Sequence, residues 1–184
     1  MKRHAIGLIC VFALAAFTPG PARSQQTPTP VIAVVDWQLL VNESLAGQSV
    51  LAQLDAKGAI FRSEITEKEN ALRAADQELA NQQAVLTPEA FNERRRELQQ
   101  RAAEVQREAQ TRRRQLDQAA GEAMRQVEAV LMEVVDELMA ENGINIILPK
   151  SQGVRTVPEM EITQRVLERV NERVTSVKVT LPEN

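Results

Sequence analysis

The sequence contains a single cysteine, a single histidine and no tyrosine. Cys10 and His4 both lie near the amino terminus, in a segment that we expect to be removed from the mature protein. The mature chain then has no disulfide, and it lacks the thiolate and imidazole groups that serve nucleophilic catalysis and zinc or copper binding. Its carboxylates are scattered along polar stretches instead of being gathered in an apolar pocket. The composition therefore argues against an enzyme and predicts neither a metal nor another cofactor.

Residues 1–24 have the features of a secretory signal peptide. Lys2 and Arg3 precede an apolar run over residues 5–17, and the helix-breaking residues 18–21 follow it. The run is too short to cross the ~30 Å hydrocarbon layer of a membrane as a helix, so a retained membrane anchor is the less favoured alternative. We expect cleavage after Ser24 and export to a bacterial periplasm.

Most of the remaining chain carries the apolar repeat of a long helical hairpin. Apolar residues recur at alternating steps of three and four over residues 51–86 and again over residues 91–138. This spacing is typical of the narrow seam of a coiled coil. It predicts an antiparallel arm over residues 46–141, which would project on the order of 60 Å from its base.

Local signals predict where the arm turns and where it bends. Thr87 can cap a helix that begins with Pro88, so we expect the turn at residues 86–89. Gly58 and Gly121 lie at similar distances from Pro88 along the sequence, which would place them at nearly the same height. Because glycine disfavours a helix interior by ~1 kcal/mol relative to alanine, the pair predicts a hinge at the arm root. The alternative is that the two glycines only allow close helix packing.

The segments on either side of the arm predict one small α+β head. Its first part covers residues 25–45, with a strand at 31–35, and its second part covers residues 142–174. The second part would contain strands at 144–148 and 154–157 and a helix at 164–174 capped by Thr163, and the tail 175–184 alternates like an edge strand.

A head of this size buries too little surface to offset the entropy of its chain. Its strands are apolar on both faces, so we expect another copy of the chain to cover them. The predicted fold is mainly helical, a coiled-coil hairpin inserted into an oligomerisation domain. The candidate oligomerisation residues are Val31, Ala33, Val35, Ile144, Ile146 and Leu148.

Charge is distributed unevenly along the predicted arm. Arginines outnumber acidic residues near the turn, and the candidate basic tip comprises Arg94, Arg95, Arg96 and Arg101. Near the base, acidic residues lack basic neighbours in the sequence; they include Glu133, Glu137 and Glu141. The favoured interpretation is a solvated helix with ion pairs between successive turns, and the alternative is a positive tip that meets acidic lipids or polypeptides. Nucleic acid is not an expected partner, because the arginines lack interleaved aromatic residues.

The order of these segments resembles that of the Skp/OmpH-like family of periplasmic chaperones. The resemblance rests on strand 31–35 with the following residues 36–48, on Leu86-Thr87-Pro88-Glu89 at the turn, and on residues 141–148 and 161–167. No single motif decides it, but the combination behind a signal peptide covers roughly residues 31–171. Two features depart from the family pattern: this chain is acidic and rich in arginine, and its tail extends further.

The resemblance implies a homotrimer whose three arms surround a cavity for unfolded outer-membrane proteins. Such polypeptides expose alternating apolar side chains and unpaired strand edges. No phosphate-binding glycine loop is present in the sequence, so holding would not require ATP. The candidate client contacts are small or aromatic side chains of the arm, namely Ala59, Phe61, Ala71, Ala74, Ala84 and Phe91.

Two other classes of function remain open at this point. One is a structural spacer or adaptor of the cell envelope, which a stiff, uninterrupted seam would favour. The other is a lipid-binding protein that acts through its arginine tip and whose membrane binding is weakened by salt.

Overall fold

The computed structural model describes residues 28–152 and 155–182, so the predicted signal peptide lies outside the described residues. The chain begins with strand β1 (Ile32–Val35) and helix α1 (Trp37–Glu43), and the long helices α2 (Leu45–Asn81) and α3 (Pro88–Asn142) follow. Strand β2 (Ile146–Pro149) and helix α4 (Thr163–Arg173) complete the order. The prediction of a mainly helical chain with a helical hairpin inserted into a small α+β head is confirmed.

Capping interactions fix both ends of the arm. The side chain of Ser44 accepts a hydrogen bond from the Gly47 amide at the start of α2, and Thr87 caps α3 through the Ala90 amide. At the other end of α3, Gly143 has a φ of 62°, in the left-handed region that glycine adopts without strain. Helix α2 ends before the predicted turn, because a short 3₁₀ segment at residues 82–84 precedes α3.

The arm is tightly packed at its base and open to water along most of its length. Val127, Leu131 and Val134 are fully buried near the head, whereas most seam residues further out are only half-buried. There, polar side chains join the two helices: Lys68 donates a 2.7 Å hydrogen bond to Glu108 across the hairpin. The outer arm therefore depends on a thin seam that water reaches.

Strands β1 and β2 form a parallel pair in which Ile32 aligns with Ile146 and Val34 with Leu148. Ala33 and Val35, on the other face of β1, belong to the main apolar core together with residues of α3 and α4. A parallel pair requires a long crossover connection, and here the whole arm provides it. The pairing thereby brings the beginning and the end of the arm to one place.

The predicted third strand at residues 154–157 is wrong over the part that the structure describes. Residues 155–157 form no strand, and Val154 lies outside the described residues. Pro158 has no amide to donate to a sheet, and the chain turns there into a 3₁₀ segment that ends at Met160. The second edge of β1 is instead met by Glu161, which bridges Val34, and by the Ile162 amide, which donates to the Val34 carbonyl at 3.0 Å.

Helix α4 packs against the base of α3 and begins one residue earlier than predicted. Thr163 is its first residue and not its cap, and the Thr163 hydroxyl accepts a 3.0 Å hydrogen bond from the Asp36 amide. Val166 and Val170 are fully buried in the main core. The helix therefore ties the end of β1 to the arm.

The tail does not form the edge strand that its alternation indicates. Residues 176–182 carry no strand pairing, yet Val177 and Val179 are buried in the same apolar cluster as Val50 of α2 and Ala119 of α3. The alternating pattern is real, but its partner is the groove between two helices. Sequence periodicity reports that one side of a segment is covered, and it does not identify what covers it.

The glycines of α2 and α3 differ in the space around them, which generates a prediction. A Cβ atom at Gly47 would lie 1.9 Å from the Val41 carbonyl oxygen, a backbone atom that cannot move aside. At Gly121 the nearest atom would be the flexible end of Arg125, at 3.6 Å.

Gly47→Ala should therefore lower the free energy of unfolding by about 3 kcal/mol, as overpacked sites do. Gly121→Ala should raise it by about 1 kcal/mol, because alanine loses less backbone freedom in a helix. Thermal and urea unfolding followed by circular dichroism would measure both. Equal effects of the two substitutions would contradict the close approach at Gly47.

Candidate functional site

The sheet has one face that the chain itself leaves partly open. Ile32, Val34, Ile146 and Leu148 share this face. Val34 is buried, Ile32 and Leu148 are half-buried, and Ile146 retains 39% of its exposure. Val31, just before β1, is 42% exposed. Parallel sheets are normally covered on both faces, so this apolar face is the candidate surface for contact with another copy.

The predicted oligomerisation set divides between this face and the interior. Ala33 and Val35 lie in the chain's own core, so their assignment to a subunit contact is wrong. The register aligns even-numbered residues of β1 with even-numbered residues of β2. The sequence reasoning missed both residues of β1 on this face, the half-buried Ile32 and the buried Val34. The alternation within one strand divides its residues between two faces, but only the register with the partner strand shows which residues lie on the open face. Ile144 and Leu148 are half-buried.

The candidate client contacts on the arm include small exposed apolar side chains. Ala59, Ala71 and Ala74 are exposed along α2, and Ala84 is exposed in the 3₁₀ segment before the turn. Larger exposed residues also escaped the sequence reasoning. Among them, Ile60 is 57% exposed, and Leu51, which the repeat assigns to the seam, is also exposed. Ile60 directly precedes the seam residue Phe61, so its position in the sequence already places it outside the seam.

The two candidate aromatic contacts are half-buried. The guanidinium of Arg112 lies 4.6 Å from the centre of the Phe61 ring, in the arrangement of a cation–π interaction. Phe61 therefore contributes to the packing of the two arm helices and offers only part of its surface to a partner. Phe91 lies at the start of α3, near the turn.

Shallow grooves follow the line where α2 and α3 meet. One of them, about 550 Å³, lies near the arm root and is lined by Leu51, Leu54, Gly58 and Leu116, among others. These grooves are open to solvent and combine apolar and charged walls. Such surfaces suit many weak contacts better than one tightly enclosed small molecule.

The arginines of the tip differ in their partners. Arg94 donates to the side chain of Gln82, and Arg96 forms a 3.3 Å ion pair with Glu93 one turn earlier. Within the described residues, Arg95 and Arg101 form no ion pair. Val85, at the turn, is 82% exposed, so the tip presents both positive charge and apolar surface.

The acidic residues at the base of α3 do have basic partners, which come from α4. Arg173 binds Glu137 at 2.7 Å, and Arg169 binds Glu141 at 2.7 Å. The hydrogen bond from Arg173 lowers the pKa of Glu137, and the same bond raises the pKa of Arg173. The pair therefore persists at neutral pH and is lost only as the pH falls through the lowered pKa of Glu137.

Gly58 and Gly121 do not lie at the same height in the arm. Gly58 faces Leu116 across the hairpin, with 3.9 Å between an added Cβ and the leucine side chain. Gly121 lies five residues further along α3, about 7 Å nearer to the head at 1.5 Å per residue. The prediction of matched heights is wrong, because Gly58 lies opposite Leu116 and not opposite Gly121. A hinge at either glycine stays a prediction.

Over residues 28–152 and 155–182, no group of three or more histidine, cysteine or acidic side chains is arranged to hold a metal ion. None of the helices described has an apolar stretch long enough to cross a membrane.

Comparison with known proteins agrees with this architecture. The model of the family described as "Outer membrane protein (OmpH-like)" matches residues 31–170. A crystal structure of a candidate outer membrane chaperone (OmpH-like) from Caulobacter crescentus CB15 superposes with a TM-score of 0.80. The two sequences are 19% identical, and the match covers 91% of this chain and 98% of the other. No curated protein sequence matches the chain significantly.

The structural similarity is one of fold, since the identity is low. The family match spans both strands, the whole arm and most of α4. The resemblance inferred from the order of the segments is thereby confirmed, and the chain belongs to the OmpH-like outer membrane protein family.

Proposed function

We propose that this protein is a periplasmic chaperone that holds unfolded outer-membrane proteins between the arms of a homotrimer, without using ATP. The observation that carries the proposal is the arm itself. Helix α2 alone has 37 residues, which corresponds to about 55 Å, and most of its surface is open to solvent instead of enclosing a core. Membership of the OmpH-like family supports a chaperone role.

Assembly through the head would arrange such arms around a common space. The partly open apolar face of β1 and β2, where Ile146 is exposed, supports this assembly because parallel sheets are normally covered on both faces. The arms would then leave the head in the same direction from a shared base. We propose the trimer because it is the assembly that the family resemblance implies.

The arm surface suits a polypeptide that must be held and later released. Each exposed alanine buries little area, and apolar burial contributes only about 25 cal/mol per Å². Affinity would therefore come from many weak contacts acting together, and no single contact would prevent release. The predicted signal peptide would place the protein in the compartment through which outer-membrane proteins pass.

The first test of this proposal concerns assembly. Ile146→Asp would place a charge in the proposed contact between subunits, and burying an unpaired charge there should cost several kcal/mol. Light scattering should then detect monomers. Ile60→Asp is the matched control, because Ile60 is exposed on the arm and away from the head. An Ile146→Asp protein that remained a trimer would remove the basis for this interface.

The second test concerns the alanines of α2 and the turn. A variant with Ala59, Ala71, Ala74 and Ala84 changed to glutamate should suppress the aggregation of a urea-unfolded porin several-fold less well, because its weak apolar contacts are lost. Turbidity after dilution measures this without added nucleotide. The matched control adds the same charge at exposed polar positions of the same region, namely Ser63, Asn70, Gln77 and Gln83. Equal loss in both variants would indicate a general charge effect, and a requirement for ATP would contradict the proposed mechanism.

The third test concerns the proposed hinge. The double variant Gly58→Ala and Gly121→Ala should be more thermally stable and should retain large porins less well than small barrels, because a stiffer root limits opening. Gly121 has room for an added Cβ, whereas at Gly58 the movable end of Arg62, 3.3 Å away, would have to shift slightly. The single variants Gly58→Ala and Gly121→Ala show which of the two glycines is responsible for the effect. Binding that changes uniformly with client size would leave only the packing role for these glycines.

A further inference from the structure

The tail of the chain lies in the arm root as an extended segment with one covered side. Val177 and Val179 are buried, and Leu181 is half-buried. The residues that alternate with them are exposed, namely Ser176, Lys178 and Thr180. The segment thus has the two-residue period of a strand, although the described residues provide no strand beside it.

The side chain of Gln53 takes the place of that missing strand. Its amide nitrogen donates to the Val177 carbonyl at 2.7 Å, and its amide oxygen accepts from the Val179 amide at 3.0 Å. A neighbouring parallel strand forms the same pair of bonds to residues i−1 and i+1. Ser49, one turn earlier in α2, accepts from the same amide nitrogen at 3.0 Å and so orients the group.

The other arm helix holds the far end of the tail. The side chain of Gln115 in α3 donates to the Pro182 carbonyl at 3.2 Å. The tail therefore spans from α2 to α3 across the groove, and its polar contacts with the two glutamines go to backbone atoms. Selectivity in such a groove would come from apolar side chains at every second position, not from a particular sequence.

We propose that the groove between Gln53 and Gln115 is a binding site for extended polypeptide segments with alternating apolar side chains, and that the tail is its resident occupant. The inference rests on the proposed chaperone function, since strands of outer-membrane barrels carry the same two-residue alternation. A client strand would displace the tail and form the same backbone bonds to Gln53. The competing interpretation is a permanent strap that stiffens the arm root.

Because the tail is tethered to α4, its displacement from the groove would favour long clients. A tail attached directly to α4 has an effective concentration in the ~mM range at the groove, so a free short peptide competes poorly. An unfolded protein already held elsewhere in the assembly gains a comparable local advantage. The groove would then open only to chains that contact the arms at several points.

The first experiment uses the full chain and a fluorescent peptide with the sequence of residues 174–182. Val177→Asp combined with Val179→Asp should release the tail from the groove. The matched control places the same charges on the exposed side of the same segment, as Ser176→Asp with Thr180→Asp. Anisotropy should detect at least tenfold tighter peptide binding to the release variant than to the control or the unmodified protein.

Two further arms of this experiment test how the peptide is recognised. Adding Gln53→Ala to the release variant should weaken peptide binding at least fivefold, because the strand-like pair of hydrogen bonds is lost. A peptide of the same composition, with Ser176 exchanged for Val177 and Val179 for Thr180, should not bind. Failure of the release variant to bind the first peptide, or equal binding of both peptides, would overturn the inference.

Hydrogen exchange on the unmodified protein tests displacement without any substitution. The Val179 amide, bonded to Gln53, should exchange slowly in the free protein and at least tenfold faster when an unfolded porin is bound. Unchanged protection of this amide in the bound state would indicate a permanent strap and overturn the inference. The peptide experiment contains no outer-membrane protein, so a groove that binds the peptide in a protein that fails to suppress porin aggregation would contradict the chaperone proposal alone.

Discussion

The parallel pairing of β1 with β2 is the constraint on which the rest of the structure depends. It joins Ile32 to Ile146, residues separated by the entire arm. Because parallel strands cannot be joined by a tight turn, the chain must leave the sheet and return in the same sense, and the hairpin fulfils this requirement. The sheet therefore fixes the base of both long helices, while the arm beyond it is free of the head.

Packing weakens from that base toward the tip, and the gradient suits the proposed function. Near the head, residues such as Leu131 are fully buried, and the ion pair between Arg173 and Glu137 joins α4 to α3. Further out, half-buried seam residues and polar pairs such as Lys68 with Glu108 hold the helices together. Local opening costs least where few apolar contacts are made, so the outer arm can adjust to a partner while the base of the arm stays packed.

Sequence reasoning predicted the elements whose signals are local and missed those that depend on partners distant in the sequence. The seam and the cap at Thr87 each follow from a few neighbouring residues. The face of β1 required the register with β2, and the partners of Glu137 and Glu141 required the position of α4. The prediction of a third strand was wrong because the apolar residues before Pro158 indicated a strand but did not show whether the sheet had a free edge with which it could pair.

The contacts of the tail connect the fold with the proposed function. The tail alternates like a strand but forms its backbone hydrogen bonds with a glutamine side chain. The proposed groove therefore recognises the backbone and the two-residue period of apolar side chains, which are the two properties that unfolded barrel strands share. Such a groove cannot distinguish one client sequence from another, and a holding protein has no need to do so. Release would be the harder requirement for a chaperone that, as proposed, uses no ATP. A tethered tail that returns to Gln53 whenever a client segment detaches would shorten each contact, so holding and release would arise from the same competition.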